Sequence, residues 1–224
     1  MSLTVFSNKL ISEILMTLAG AAMIAASCFW SGGQSLNEKK ALIAPPPHLE
    51  YFSFGFQSVF ADSLWIRSIQ DFDYCENLEA KNVCKGNSWL FQMLNTVSNL
   101  SPHFLEPYRD GGLALSVIIS DSAGASVMFD KGLKIFDNDF GLAYRAGYHA
   151  LFEEKDKKKA ADRFLLAARI RGLDGSWLYS MATRLYVEGG QREIGLQLYQ
   201  EMKQSGLDES YLKRMRVKLG IQEQ

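Results

Sequence analysis

The residues that most often perform catalysis are few and scattered in this chain. The three histidines, His48, His103 and His149, belong to no HExxH or cysteine-paired pattern, and no GxSxG, Walker or GxGxxG motif occurs. The carboxylate-rich residues 71–73 and 137–139 are not followed by the remaining ligands of a calcium loop. We therefore expect no catalytic, metal or cofactor site and no small-molecule substrate.

Two cysteines do have a spacing that suggests chemistry. Cys75 and Cys84 enclose a polar, charged stretch that is typical of a loop. A disulfide there would stabilise the fold by roughly 2–3 kcal/mol and would persist only in an oxidising compartment. Two unrelated free thiols remain the alternative, whereas a zinc site lacks both CxxC spacing and a nearby histidine pair. Export with a loop disulfide is the prediction.

The N-terminus predicts a membrane anchor. No charged residue occurs from Ile14 to Trp30. A helix over residues 10–30 would be about 30 Å long, close to the hydrocarbon thickness of a bilayer. Residues 1–9 would then be cytoplasmic and the rest periplasmic, attached to a bacterial inner membrane. Cleavage after the Ala25-Ala26-Ser27 stretch, lipidation at Cys28, or a buried helix in a cytosolic protein are the alternatives.

The segment after this apolar run predicts a tether. Residues 31–49 contain Gly32-Gly33, which favour flexibility, and Pro45, Pro46 and Pro47, which favour a stiff extended chain.

Small and aromatic residues recur every 34 to 35 residues through the second half of the chain. The matching sets are Ala125, Ala160 and Ile194; Phe129, Phe164 and Leu198; Gly112, Gly147 and Met181; and Pro102, Asp137, Gly172 and Gly206. A fixed period of this length is typical of stacked helix–turn–helix units, none of which buries its apolar face alone. The expected fold is thus all-α, with repeats over residues 50–205 and an inserted loop at 73–87.

Two local features refine this architecture. Gly111 and Gly112 fall within a predicted helix, where each costs roughly 1 kcal/mol relative to alanine, so we expect a neighbouring helix to approach closely there. Residues 206–224 predict a terminal capping helix with one apolar stripe and basic residues on its other faces. Contact of this basic helix with anionic lipid is the alternative.

The repeat register resembles that of the tetratricopeptide repeat family. Gly147, Ala160, Phe164 and Trp177 match the family's small and bulky positions, whereas Met181 and Ile194 replace its glycine and alanine. The resemblance covers residues 104–206 well and the first unit loosely. It implies a right-handed superhelix whose concave face is lined by the first helix of each pair.

On that register, the residues expected on the concave face are Arg109, Leu113, Tyr144, Tyr148, Phe152, Leu178, Ala182 and Tyr186. Tyrosine and arginine are enriched in binding hot spots, and such a groove suits an extended peptide or a partner helix. Packing of these aromatic side chains between neighbouring units is the alternative. The net charge of −1 gives no positive field for nucleic acid.

The expected function is a membrane-tethered periplasmic scaffold that binds proteins, because the resemblance implies relatives that serve envelope assembly machines. An architectural subunit of an integral membrane complex and a helical cell-wall-modifying enzyme are the alternatives. The enzyme alternative is the weaker one, because no glutamate in the sequence lies within a recognisable catalytic motif.

Overall fold

The computed structural model describes residues 13–26, 42–46, 48–70, 84 and 86–221. The chain divides into two compact units, Met1–Ala41 and Leu42–Gln224. In the first unit, residues 13–26 are helical. Among the described residues, no helix has both the length and the apolar character needed to cross a membrane. Residues 10–12 and 27–30 of the predicted span, including Cys28, lie outside the described ranges.

Every element of regular secondary structure among the described residues of the second unit is a helix, which confirms the all-α class. Its helices are α1 (Gln57–Gln70), α2 (Trp89–Leu100), α3 (residues 105–119), α4 (Ser122–Leu133), α5 (Phe140–Phe152), α6 (Lys157–Arg171), α7 (Ser176–Glu188), α8 (Arg192–Gln204) and α9 (Glu209–Leu219). Short 3₁₀ turns cover Leu49–Phe52 and Gly172–Gly175. Within α3, Pro107–Gly111 and Leu115–Ile119 have the wider π-helical winding.

Side-chain caps determine where several of these helices begin. Ser88 accepts a hydrogen bond from the Phe91 backbone N–H at the start of α2, as expected of an N-cap serine. Asp121, Asp139 and Asp156 make the same kind of bond at the starts of α4, α5 and α6. Each cap satisfies a donor that the first helical turn leaves free, so these starts are encoded locally.

Helices one repeat period apart lie side by side. Lys131 of α4 donates to Ser98 of α2 at 2.6 Å, and Arg163 of α6 donates to Asp130 of α4 at 2.8 Å. Arg169 of α6 pairs with Glu201 of α8 at 3.4 Å. The two residues of each pair are 32 or 33 positions apart in the sequence, so the contacts join α2, α4, α6 and α8 in series.

Glycines allow close approach within successive helical pairs. A Cβ on Gly112 would lie 3.0 Å from the Phe129 ring, and one on Gly147 would lie 2.9 Å from the Phe164 ring. The same contact therefore recurs one period later. At Gly111, an added Cβ would lie 2.7 Å from Leu94. The expected close approach at Gly111 and Gly112 is thus confirmed.

Helix α1 packs less extensively than the helices that follow. Its Ala61 forms a small buried cluster with Val97 and Leu100 of α2. Its apolar residues Val59, Phe60 and Ile66, in contrast, are exposed, as is Phe56 directly before it. These apolar side chains therefore remain largely unburied among the described residues.

Candidate protein-binding groove

One face of α5 carries a row of aromatic side chains. Phe140, Tyr144, Tyr148 and Phe152 recur every four residues, a spacing that places them one above another on a helix. The centroids of successive rings are 5.5, 5.0 and 5.5 Å apart. Partial burial and the neighbouring Tyr148 hydroxyl raise the pKa of Tyr144 to about 12, so the Tyr144 phenol stays neutral at neutral pH. The row is a continuous aromatic surface.

An open groove of about 270 Å³ lies between this row and α3. It is lined by Leu113, Ser116, Val117, Tyr144, Arg145, Tyr148, His149, Phe152 and Glu153. Side chains at its rim are unusually exposed for apolar residues: Val117 is 67% exposed, Phe152 60% and Tyr148 38%. The structure therefore brings together Leu113, Tyr144, Tyr148 and Phe152, four of the residues that the sequence assigns to a binding face.

The assignment is wrong for the three residues of α7. Leu178, Ala182 and Tyr186 are buried in the core. The Tyr186 hydroxyl donates to Asp162 of α6 at 2.6 Å, so this side of α7 packs inward. Helices α6, α8 and α9 all pack against α7, which leaves little of its surface free.

On α7, it is Trp177 that contacts the aromatic row. It is 39% exposed, and its ring lies 5.9 Å from that of Tyr144. The sequence singles out Trp177 only as the bulky residue that opens a repeat. Trp177 comes directly before Leu178, and one residue along a helix turns the side-chain direction by about 100°. Because Leu178 points into the core, the side chain of Trp177 points away from it.

A charged cluster lies beside the N-terminal half of α5. Asp110 is held by the guanidinium groups of both Arg109 and Arg145. Burial alone would raise the pKa of Asp110, but the two arginines lower it below its usual value. The predicted binding residue Arg109 is thus half-buried and ion-paired beside the groove and does not line it. Its charge is locally compensated, which leaves the apolar side chains as the dominant feature of the groove.

A buried polar network lies beneath the groove. His149 is buried, with Nδ1 2.8 Å from the Ser116 hydroxyl and Nε2 2.9 Å from that of Ser126. Ser126 also hydrogen-bonds to Glu154, and Glu154 pairs with Lys159 at 2.8 Å. In one consistent assignment, Ser116 donates to Nδ1, Nε2–H donates to Ser126, and Ser126 donates to the carboxylate. With this assignment, both nitrogens of a neutral imidazole have a hydrogen-bond partner. Because Ser116, Ser126 and His149 lie on α3, α4 and α5, the network joins these three helices.

This network is largely shielded from solvent. Ser116 and His149 are both buried within packed helices. Within the described ranges, no group of three or more histidine, cysteine, aspartate or glutamate residues is arranged to hold a metal ion. The arrangement supports a rigid platform under the aromatic row.

The predicted disulfide lies mostly outside the described residues. Cys84 is disulfide-bonded, whereas Cys75 and most of the predicted loop at 73–87 lie outside these ranges. The pairing of Cys75 with Cys84 therefore stays a prediction.

Comparison with known proteins finds no matching family model, no similar curated protein and no similar solved structure.

Proposed function

We propose that this protein is a scaffold that binds a partner protein in the groove between α3 and α5. The observation that carries the proposal is the row of contacting aromatic side chains, which is open to solvent at Tyr148 and Phe152. Aromatic residues supply large contact areas at low cost in side-chain entropy, and they dominate binding hot spots. The apolar lining suits an extended peptide or one face of a partner helix.

We further propose that the helices form a tetratricopeptide-like stack. Two features support this: polar contacts recur between helices one period apart, and the glycine–phenylalanine contact of one pair is repeated in the next. A stack of this kind keeps each pair in contact with its neighbours only, so the groove can be presented rigidly between two successive pairs.

The proposed location is the periplasmic side of a bacterial inner membrane, with residues 10–30 as the anchor. The uncharged run from Ile14 to Trp30 and the cysteine pair support this placement. Non-reducing mass spectrometry of protein from intact cells tests the compartment: a peptide containing linked Cys75 and Cys84 is expected, and fully reduced thiols would contradict export.

The binding proposal is tested by site-specific crosslinking in cells that make the full-length protein. A photoreactive phenylalanine analogue replaces Phe152 in the groove or, as a control, the exposed Val127 on α4. We expect a discrete crosslinked species from position 152 that is absent from position 127. The species should disappear when Tyr148→Ser is added, with thermal stability changed little because Tyr148 is partly exposed. Identical crosslinks from both positions would refute the groove as the binding site.

A second candidate is an architectural subunit packed permanently inside a membrane complex. The exposed apolar side chains of α1 favour it, because contiguous apolar surface of this kind marks interfaces. Residues 45–224 expressed alone discriminate between the two: a stable monomer supports a scaffold with a transient partner, whereas aggregation that Phe60→Ser and Ile66→Ser relieve supports a permanent subunit.

A further inference from the structure

A second recess lies at the Trp177 end of the aromatic row. Its volume is about 280 Å³, and it is lined by Trp177, Ser180, Met181 and Arg184 of α7 and by Arg214 and Lys218 of α9. Three of its six lining side chains are cationic, and none is acidic. The aromatic and thioether groups give the recess an apolar wall beside these charges.

The cations in this recess are poorly compensated. Arg184 has Glu188 at 3.6 Å, but Glu188 is shared with Lys157 at 3.1 Å. Arg214 lies over the Tyr211 ring, 5.5 Å from its centroid. Among the described residues, neither Arg214 nor Lys218 has a carboxylate within ion-pairing distance. Convergent positive charges repel one another, and an anionic ligand would relieve that repulsion.

The cationic recess and the aromatic groove share no lining residue, but one ring contact links them. Trp177 lines the recess and contacts Tyr144, which lines the groove. The Arg171 guanidinium lies over the ring of Phe140, the first residue of the row, 4.3 Å from its centroid. Within the part of the chain that the structure describes, Arg171 takes part in no ion pair. Cationic side chains thus lie beside the aromatic row at Phe140 and beside Trp177, which contacts the row.

From this arrangement we propose that the partner is an acidic protein segment: bulky apolar residues occupy the groove, and aspartate or glutamate side chains occupy the recess at Arg184, Arg214 and Lys218. The proposal rests on the proposed function, since it names the chemistry of the partner in the same groove. A protein segment is favoured over a lipid surface because both sites are recessed, whereas a bilayer presents a broad face.

The test selects binders from a random peptide library on the full-length protein, held in nanodiscs of zwitterionic lipid. Enriched sequences should combine aromatic or aliphatic residues with a nearby aspartate or glutamate. The affinity of the best peptide is then measured for an Arg214→Glu/Lys218→Glu variant. Reversal of two charges should weaken binding at least about tenfold at low salt and distinctly less at high salt. The control, Lys203→Glu/Lys213→Glu, makes the same change in net charge at exposed lysines of α8 and α9 outside the recess, and it should change binding less than about twofold.

The outcomes separate the two proposals. Peptides that depend on Tyr148 and Phe152 but lack acidic residues, or that tolerate the Arg214/Lys218 reversal, would overturn the acidic-segment proposal and leave the groove intact. No enrichment over a Tyr148→Ser/Phe152→Ser variant would remove both. Capture of phosphatidylglycerol-containing vesicles that needs Arg214 and Lys218 but not Tyr148 would assign the recess to a lipid surface instead.

Discussion

Replacement of His149 by glutamine should remove a pH dependence from the stability of the folded protein. Burial lowers the pKa of His149, and this outweighs the opposing effect of the nearby Glu154 carboxylate. Lys159 lowers the pKa further, whereas Glu153 and Asp130 raise it. The folded state therefore holds a neutral imidazole at pH values where the unfolded chain is already protonated.

The sign of the effect follows from proton linkage. Because the folded-state pKa is depressed, the unfolded chain binds more protons as the pH falls below about 6.5, the ordinary histidine value. The stability contributed by neutral His149 is fully present above that pH and is lost as the pH falls towards the folded-state pKa. The slope is at most about 1.4 kcal/mol per pH unit for one proton. For a chain of this size, that corresponds to about 3–5 °C in Tm per pH unit.

The assay is thermal and urea unfolding of the full-length chain in a mild detergent between pH 7.5 and about 5. The wild-type protein should lose stability over this range, whereas His149→Gln, which keeps hydrogen-bonding groups near Ser116 and Ser126, should lose clearly less. His103→Gln is the matched control, because His103 is exposed. Parallel pH profiles for wild type and His149→Gln would refute the claim that the buried imidazole is neutral.

Three further predictions concern packing and capping, each measured as the free energy of unfolding. Phe164→Ala should cost about 3–5 kcal/mol because the Phe164 ring is fully buried. Phe152→Ala should cost about 1 kcal/mol because the Phe152 ring is 60% exposed. Equal losses would contradict the assignment of Phe152 to a free surface. Gly147→Ala should destabilise by up to about 2 kcal/mol, since the new Cβ would lie 2.9 Å from the buried Phe164 ring, and a net gain would show that the ring can move. Asp121→Ala should cost about 3 kcal/mol, because the buried carboxylate accepts hydrogen bonds from Ser88 Oγ at 2.6 Å and from the Gly86 N–H at 2.7 Å. A loss below about 1 kcal/mol would mean that water replaces the carboxylate as the acceptor of these bonds.

The period in the sequence predicts the core better than it predicts the binding face. Ala125, Ala160, Phe129 and Phe164 are all fully or almost fully buried, as their recurrence indicates. Core positions repeat because each pair packs against the next in the same way. The groove depends instead on which side chains neighbouring helices leave uncovered, and that is a property of the assembled chain.

The C-terminal helix α9 shows why the exposed positions of one repeat do not predict the exposed positions of the next. The repeat register equates Tyr148 of α5 with Ala182 of α7, yet Tyr148 lines the groove and Ala182 is buried. Helix α9 packs against α7 through an apolar stripe that includes Met215 and Leu219, whereas Lys218 lies at the recess. A capping helix is needed because the last pair of a stack would otherwise expose its apolar face. Helix α9 also carries Arg214 and Lys218, so the helix that covers α7 supplies two of the three cations that line the recess.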